Sequence, residues 1–589
     1  MINLEQIRER YPKYSQYIMI ITGFFILVSL TAIIGFRLDN EWISIFTSIT
    51  SIMLHTFIIN ELIKLLLARH YFTHIKERWY EFIIIGLLFF QLIFPSISQN
   101  IFETILPNIN PAKITLIYIA ILEIMMLFLL FLKAIRVTHK LSSIKIHSSG
   151  LLAISFLAII LIGSLLLYLP RSYNEGAKYS YIDALFTSTS CVCVTGLIVV
   201  DTEHNFTVIG KVFIILLIQV GGLGIMTLTT FFALYLTGGV SLRARTLVKD
   251  LISEDSIGKI QSLIKSILLY TFVIEAVGAL LLYLSTVDNI FVYDPILFYH
   301  AIFHSISAFC NAGFSVFSDN LMNESIRYNY FHNSVIMALI VMGGLGFIVH
   351  SNLYGYYLNK RSNRAFRLKI HTKLVVISTL ILIFGGTILI YIFGSFQYLK
   401  GLNFAEQVFH AMFWSVTART AGFSALPMSS LNQAATLVMV ILMWIGASPG
   451  STGGGIKTTT LAIVSIALFK YIVGVERAEV FKREISQDSI KRGFFVILAS
   501  IIVLGFASIV LIWIEPDKNG LDLIFEVTSA LSTVGLSKDL TFYMGNGGKL
   551  LLITVMFIGR IGVLSFLMSF HKPVDEPDYS YPKENILVG

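Results

Sequence analysis

Four short segments of this chain are dense in serine, threonine and alanine and end in a single glycine followed by leucine or phenylalanine. They read FTSTSCVCVTGLIVVD from Phe186 to Asp201, FHSISAFCNAGFSVFSD from Phe303 to Asp319, FWSVTARTAGFSALP from Phe413 to Pro427, and FEVTSALSTVGLSKD from Phe525 to Asp539. Their glycines, Gly196, Gly313, Gly422 and Gly535, are separated by 117, 109 and 113 residues. One such glycine could serve helix packing alone. Four at a near-constant period mark a repeated unit. The chemistry they offer belongs to the backbone: a cation stripped of water needs oxygens, and stacked main-chain carbonyls supply them without placing full charges in its path. Aiming successive carbonyls inward needs the conformational freedom of glycine. The candidate cation ligands are the carbonyls of Val194, Thr195 and Gly196, of Asn311, Ala312 and Gly313, of Thr420, Ala421 and Gly422, and of Thr533, Val534 and Gly535.

The rest of the chain must hold these segments in a bilayer. Apolar residues make up 56% of the 589 positions and charged residues 13%, with a mean hydropathy of +0.79. Soluble domains carry about 25% charged residues. Long apolar runs recur from Tyr17 to Phe570, each able to cross as a helix. The net charge of +8 lies in short basic clusters between these runs, so it reads as topology rather than as nucleic-acid binding. The clusters are Arg8/Arg10/Lys13, Arg69–Arg78, Lys133/Arg136/Lys140/Lys145, Arg243/Arg245/Lys249, Lys360–Lys369 and Arg477–Arg492. Basic loops stay on the cytoplasmic side. Both termini are therefore expected inside, and the loops Ser98–Pro111, Arg171–Tyr181, Val287–Pro295 and Glu515–Gly520 outside. The last three lead into the glycine segments, which are too short to cross and read as re-entrant loops. The first apolar run lacks a small-residue cleavage site and reads as a retained span. Cys191, Cys193 and Cys310 fit no zinc spacing and read as buried thiols.

Other residues stand out by their cost. Gly446-Ala447-Ser448-Pro449-Gly450-Ser451-Thr452-Gly453-Gly454-Gly455 lies inside an apolar run, where glycine and proline should break the helix. The freed backbone groups then need a wet cavity. Its GSTGGG stretch is no phosphate loop, because it lacks the closing Gly-Lys-Ser/Thr. Arg560, within Gly559-Arg560-Ile561-Gly562, is an expensive intramembrane charge that should face a cavity or a partner. Lys457 borders the broken stretch, and Arg419 precedes the third glycine, where it should brace the loop from behind. Asp201, Asp319 and Asp539 follow their glycines closely and could concentrate cations at an outer mouth. Gly221-Gly222-Leu223-Gly224 and Gly343-Gly344-Leu345-Gly346 read as close-packing sites between helices.

Thr533-Val534-Gly535 resembles the Thr-Val-Gly filter of potassium channels directly; the other three are looser. From Gly150 to about Phe570 the chain resembles the Trk/Ktr/HKT superfamily of potassium transporters. The resemblance implies an all-α polytopic membrane protein of four membrane–pore–membrane repeats around one pseudo-fourfold pore. It carries the filter glycines onto Gly196, Gly313, Gly422 and Gly535. Serine at the first of these tends to favour sodium, so four glycines favour potassium, K+ being the transported ion with no organic cofactor. It makes Gly446–Gly455 a gating loop beneath the filter, and places Arg560, with Lys457, beside the permeation path as regulators of flux. It also implies a homodimer in the cell's inner membrane, docked on a cytosolic ring of nucleotide-binding subunits.

The domain boundaries expected are 1–146 for an accessory helical region that packs against the pore, then 147–265, 266–371, 372–490 and 491–589 for the four repeats, the last with a short cytoplasmic tail. The accessory region shows four apolar runs, about Tyr17–Phe36, Trp42–Ala68, Tyr80–Ile97 and Ile114–Leu132. The fourth ends in only Lys133 and Arg136 rather than a ladder of arginines, which argues against a voltage sensor. Glu61, Lys64 and Glu123 are polar residues in or near these runs. A sodium-permeable or cation-coupled symporter on the same scaffold is the competing reading. An enzyme is not expected, since no catalytic cluster or nucleotide fingerprint is present.

Overall fold

The computed structural model describes residues 4–67, 148–235 except 178, 258–287, 294–361, 367–394, 402–569 except 476, and a few isolated positions. The expected spans Tyr80–Ile97 and Ile114–Leu132, and the basic clusters at 133–145 and 243–249, lie outside the described residues.

Each repeat is built from an outer helix, a short pore helix, an extended filter and an inner helix. In the first these are Ser148–Leu167, Tyr181–Val192 and Val208–Tyr235. The second has Gly258–Thr286, Pro295–Phe309 and an inner pair Tyr330–Leu345 and Phe347–Arg361. The third has Ile370–Gly394, Phe404–Thr417 and an inner pair Gln433–Trp444 and Thr458–Ile472; the fourth has Gln487–Ile514, Gly520–Leu531 and an inner pair Asn546–Ile561 and Val563–Ser569. Five described helices are long and apolar enough to cross a membrane alone, and up to seven when each bent pair counts as one span. The pore helices, 12 to 15 residues long, fall short of the roughly 20 a span requires.

Local sequence explains where the pore helices start. Ser180 and Asp183 form a reciprocal capping box, as do Asn403 and Glu406. Asp294 caps a helix opened by Pro295, and Asn519 accepts from the Leu521 amide. Each helix therefore begins with one or two of its free amides answered by a side chain. Its C-terminal end, the negative end of the helix dipole, leads into the filter.

One contact fixes pore helix to outer helix in three repeats. Ser188, Ser305 and Ser415 donate to the carbonyls of Ile160, Glu275 and Ile383 at 2.7, 2.7 and 2.9 Å. The hydroxyls lie against Gly163, Gly278 and Gly386, where an added Cβ would come within 2.5 Å. The fourth repeat carries Val527 at the equivalent position, and its outer-helix Gly505 meets nothing within 4 Å. The filters and pore helices form the buried centre, while Leu161, Leu280, Ile381, Phe506 and Trp513 on the outer helices are exposed. That inversion is what a lipid surround requires.

The helices Leu4–Gly35 and Asn40–Leu67 pack on one another, with Ser29 and Thr50 hydroxyls 2.7 Å apart between them. They are tied to the first repeat in the loop ahead of its pore helix: the Arg171 amide and guanidinium donate to the carbonyls of Gly35 and Ile33 at 2.9 and 2.8 Å, and Arg37 pairs with Glu175. Glu61, at 7% exposure, pairs with Lys64 at 3.0 Å. Among the described residues the only sheet is the hairpin of Glu479–Val480 with Arg483–Glu484, between the third and fourth repeats.

Candidate functional site: a four-walled filter and the loop beneath it

The four filters share one backbone pattern. Their first and third residues are left-handed: Val194 and Gly196 have φ of 56° and 93°, Asn311 and Gly313 60° and 69°, Thr420 and Gly422 64° and 75°, Thr533 and Gly535 50° and 93°. The middle residues are not. Left-handed backbone costs little at glycine but on the order of 1–3 kcal/mol at a residue such as Val194 or Thr533. It persists because each filter is fixed to its own pore helix. The middle amides of Thr195, Ala312 and Val534 donate to the carbonyls of Ser190, Ser307 and Ser529 at 2.8, 2.7 and 2.8 Å, and that of Ala421 to Thr417 at 3.0 Å. The Ser190 and Ser529 hydroxyls then accept from the Gly196 and Gly535 amides at 3.0 Å each. Those of Ser307 and Thr417 donate instead to the carbonyls of Phe314 and Phe423.

The filters close into a ring. A Cβ on Gly196 would strike the Ala312 carbonyl oxygen; on Gly313 it would lie 2.8 Å from that of Ala421, and on Gly422 2.6 Å from that of Val534. On Gly535 it would strike that of Thr195. The order is therefore first, second, third, fourth and back to first. The middle carbonyl of each wall sits against the glycine of the wall before it. Any side chain at the four glycines would obstruct this convergence.

The third inner helix breaks where its sequence dictates, between Trp444 and Thr458. The loop turns directly under the filter. The Gly454 amide donates to Thr533 Oγ1 at 3.1 Å, and a Cβ on Gly453 would strike Thr420 Oγ1. Water was the partner expected for the freed backbone groups; several are answered by protein instead. Amides of Ser448 and Thr452 donate to Gly344 and Gly343 carbonyls at 3.0 and 3.4 Å. Thr452 Oγ1 donates to Phe309, and Gly446 and Ile456 bond across the neck of the loop.

Arg560, 2% exposed, donates to the carbonyls of Thr452 in the loop and Gly221 in the first inner helix. It is thus held by carbonyls. Lys457 donates to Gly453 and Gly454 carbonyls at 2.7 and 3.5 Å. Arg419 turns away from the pore toward Thr379 Oγ1 of the outer helix, at 3.4 Å.

Beyond the four glycines Asp319 and Asp539 are exposed and Asp201 half-buried. Asp201 caps a one-turn helix, Thr202–Asn205. Burial opposes its charge, but hydrogen bonds from Ser318 and from His204 and Glu203 outweigh that and hold the carboxyl below its usual value. Cys191, Cys193 and Cys310 are free and buried.

The glycine runs divide their roles. Gly221 and Gly343 are packing sites, since a Cβ would strike the carbonyls of Val192 and Phe309. Gly346, at φ 89°, is instead a hinge where the helix turns by 97°; Gly562, at φ 92°, makes a 96° turn in the fourth repeat. Sequence reasoning missed three buried groups behind the filter. Glu526 sits in the fourth pore helix and His304 in the second, both at most 1% exposed. Glu275, at 5%, lies 3.2 Å from Gln219 and 3.7 Å from Cys310. A charged or titratable residue inside an otherwise apolar membrane segment was the available signal.

A closed ring of main-chain carbonyls, set in four membrane–pore–membrane repeats above a loop that interrupts one span, defines a multi-pass membrane protein for cation passage. Residues 121–580 match the family model described as TrkH, cation transport protein, and the chain belongs to that family. The match begins ahead of the Gly150 start anticipated from the motifs. The chain is 36% identical over 461 residues to the potassium/sodium uptake protein NtpJ of Enterococcus hirae, covering 77% of this chain and 99% of the relative. It is 37% identical over 440 residues to the Ktr system potassium uptake protein B of Bacillus subtilis, covering 74% and 96%. The fold matches the crystal structure of the potassium transporter TrkH from Vibrio parahaemolyticus with a TM-score of 0.58 at 17% identity, over 83% of this chain and 97% of that one. About a quarter of this chain therefore has no counterpart in NtpJ or the Bacillus protein.

Proposed function

We propose that this protein carries potassium into the cell through the ring of Val194–Gly196, Asn311–Gly313, Thr420–Gly422 and Thr533–Gly535. The observation that carries the reading is the shared left-handed alternation in all four walls, the geometry that presents carbonyl oxygens to a dehydrated cation. The names of the relatives, potassium uptake proteins, support the ion. Gly446–Gly455 is the gate: it lies under Thr420 and Thr533, and Arg560 and Lys457 fasten it while lowering cation occupancy below the filter. Asp201, Asp319 and Asp539 attract cations at the outer mouth. In this reading the protein works as a homodimer in the cell's inner membrane, both termini cytoplasmic, with a ring of nucleotide-binding subunits acting on the gate. Purified protein in liposomes should take up potassium down its gradient; liposomes that pass no potassium would overturn the proposal.

A second reading is sodium permeation or coupling on the same scaffold, favoured by the name of the NtpJ relative, a potassium/sodium uptake protein. Reversal potentials in mixed potassium and sodium gradients separate the two.

A further inference from the structure

The pore helices place four different side chains at one equivalent position, the residue after the phenylalanine that opens each motif: Thr187, His304, Trp414 and Glu526. All four are buried, at 2% exposure or less. Two of them reach forward to the chain that leaves the filter. The Glu526 carboxylate accepts from Ser537 Oγ at 2.6 Å, from the Lys538 amide at 2.9 Å and from Thr541 Oγ1 at 2.7 Å. His304 Nε2 lies 2.9 Å from Ser315 Oγ. Ser315 stands two residues beyond Gly313, as Ser537 stands two beyond Gly535. Ser315 Oγ is 3.4 Å from the Asn320 carbonyl, and the Asn320 amide side chain donates to the carbonyl of Gly313 itself at 3.3 Å.

The other two positions make no such reach. Thr187 Oγ1 donates back to the Asp183 carbonyl at 2.8 Å, and the first repeat has Ile198 where the serine would stand. Trp414 Nε1 has no hydrogen-bond partner among the described residues. The ring order places the second and fourth walls opposite each other.

We propose that Glu526 and His304 are positioning residues that hold the two opposing walls of the filter at the spacing that coordinates potassium. Stability alone does not call for them. A buried carboxylate is costly unless every acceptor is answered, and an apolar side chain of similar volume often serves as well; Trp414 fills the same place in the third repeat. The three bonds converge on Ser537, Lys538 and Thr541, in the stretch that leaves the filter just beyond Gly535. Selectivity depends on the number and placement of such carbonyls, so a wall released on one side should admit ions of another size. The inference rests on reading the ring as a potassium filter.

The test is the potassium-to-sodium permeability ratio in liposomes, with wild-type potassium flux measured beside it. Glu526→Ala, which removes all three bonds, should lower the ratio about tenfold or more. Glu526→Gln, which keeps acceptor capacity, should restore part of it. His304→Ala should lower the ratio in the same direction. Ser537→Ala and Thr541→Ala each remove one bond only and read the same ratio where Glu526→Ala does not reach the membrane. An unchanged ratio in flux-competent variants overturns the bracing role. A wild type without potassium flux overturns the functional reading instead.

Discussion

Lys549, near the start of the fourth inner helix, pairs with Asp183 at the start of the first pore helix at 2.6 Å, and both side chains are nearly buried, at 12% and 10% exposure. The last repeat is thereby fastened to the first. Asp183 also closes the Ser180 capping box, accepting from the Ser180 amide at 3.0 Å and its hydroxyl at 2.7 Å. One carboxylate thus fixes both where the pore helix begins and how the ring closes. Within the fourth repeat Lys538 pairs with Asp522 at 2.6 Å and also donates to Thr436 Oγ1 of the third inner helix at 3.3 Å.

Breaking one side of the Asp183–Lys549 pair leaves a charge with little water. Lys549→Met should therefore destabilise the protein by about 3–5 kcal/mol, the usual consequence of orphaning one member of a buried pair. Asp183→Asn should cost a similar amount, part of it from the cap. The double variant should lose less than the sum, because the pair term counts once. Thermal unfolding in detergent, followed by intrinsic fluorescence, reads all three; strict additivity would show that the pair does not couple the repeats.

The ring of left-handed segments was legible in the sequence because its requirement is local. A left-handed residue that lets a neighbouring wall approach calls for glycine, and Gly196, Gly313, Gly422 and Gly535 appear at the repeat period. Arg560 was legible for a related reason: a charge inside an apolar helix stands out by type. The hinge at Gly346 was not. Gly221–Gly224 and Gly343–Gly346 have the same sequence, yet the first stays helical and the second turns by 97°. The difference lies in what docks there, since the Phe347 amide donates to the Gly450 carbonyl of the loop at 3.0 Å. Nothing within the run itself records that contact. The Glu526 and His304 contacts were hidden because the four repeats differ at that position, and a search for likeness passes over differences.

Glycine positions give a contrast within one repeat. Gly535→Ala places a side chain at φ 93° against the Thr195 carbonyl, so strain of about 1–3 kcal/mol adds to the overlap. It should abolish or de-select potassium flux. Gly505→Ala, in the outer helix with open space around it, should stabilise the helix by up to about 1 kcal/mol and leave flux unchanged. Gly196→Ser should raise sodium permeation relative to potassium, as the added side chain pushes on Ala312. Equal ratios in wild type and Gly196→Ser would remove Gly196 from the filter.

Orientation in the membrane is testable at Asn174, which is exposed in the loop that precedes the first pore helix. With Cys191, Cys193 and Cys310 replaced, Asn174→Cys should react with a membrane-impermeant thiol reagent applied outside intact cells. The substitution removes one hydrogen bond, from Asn174 to the His204 carbonyl, while the backbone bond to Asn205 remains. Labelling only after permeabilisation would invert the map and place both termini outside.

The loop beneath the filter is held by bonds to four other parts of the molecule: Gly343 and Gly344 in the second inner helix, Phe309 at the end of the second pore helix, Thr533 in the fourth filter and Arg560 in the fourth inner helix. Each bond to a neutral partner contributes about 0.5–1.5 kcal/mol net, so the position of the loop is stable but not locked. A device of this kind can move when an outside force supplies a comparable energy. Deleting Ser448–Gly453 removes the residues that donate to Gly343, Gly344 and Phe309, together with the Thr452 carbonyl that receives Arg560. Potassium flux should rise, and its dependence on any regulatory subunit should weaken. The permeability ratio should stay as in wild type, because the filter walls keep their own pore-helix bonds. Arg560→Gln should move flux in the same direction by a smaller amount, since Gln can still donate to one carbonyl but no longer repels the ion. Monodispersity in detergent identifies the folded variants. A folded deletion variant whose flux stays at or below wild type would make the loop a static strut rather than a gate.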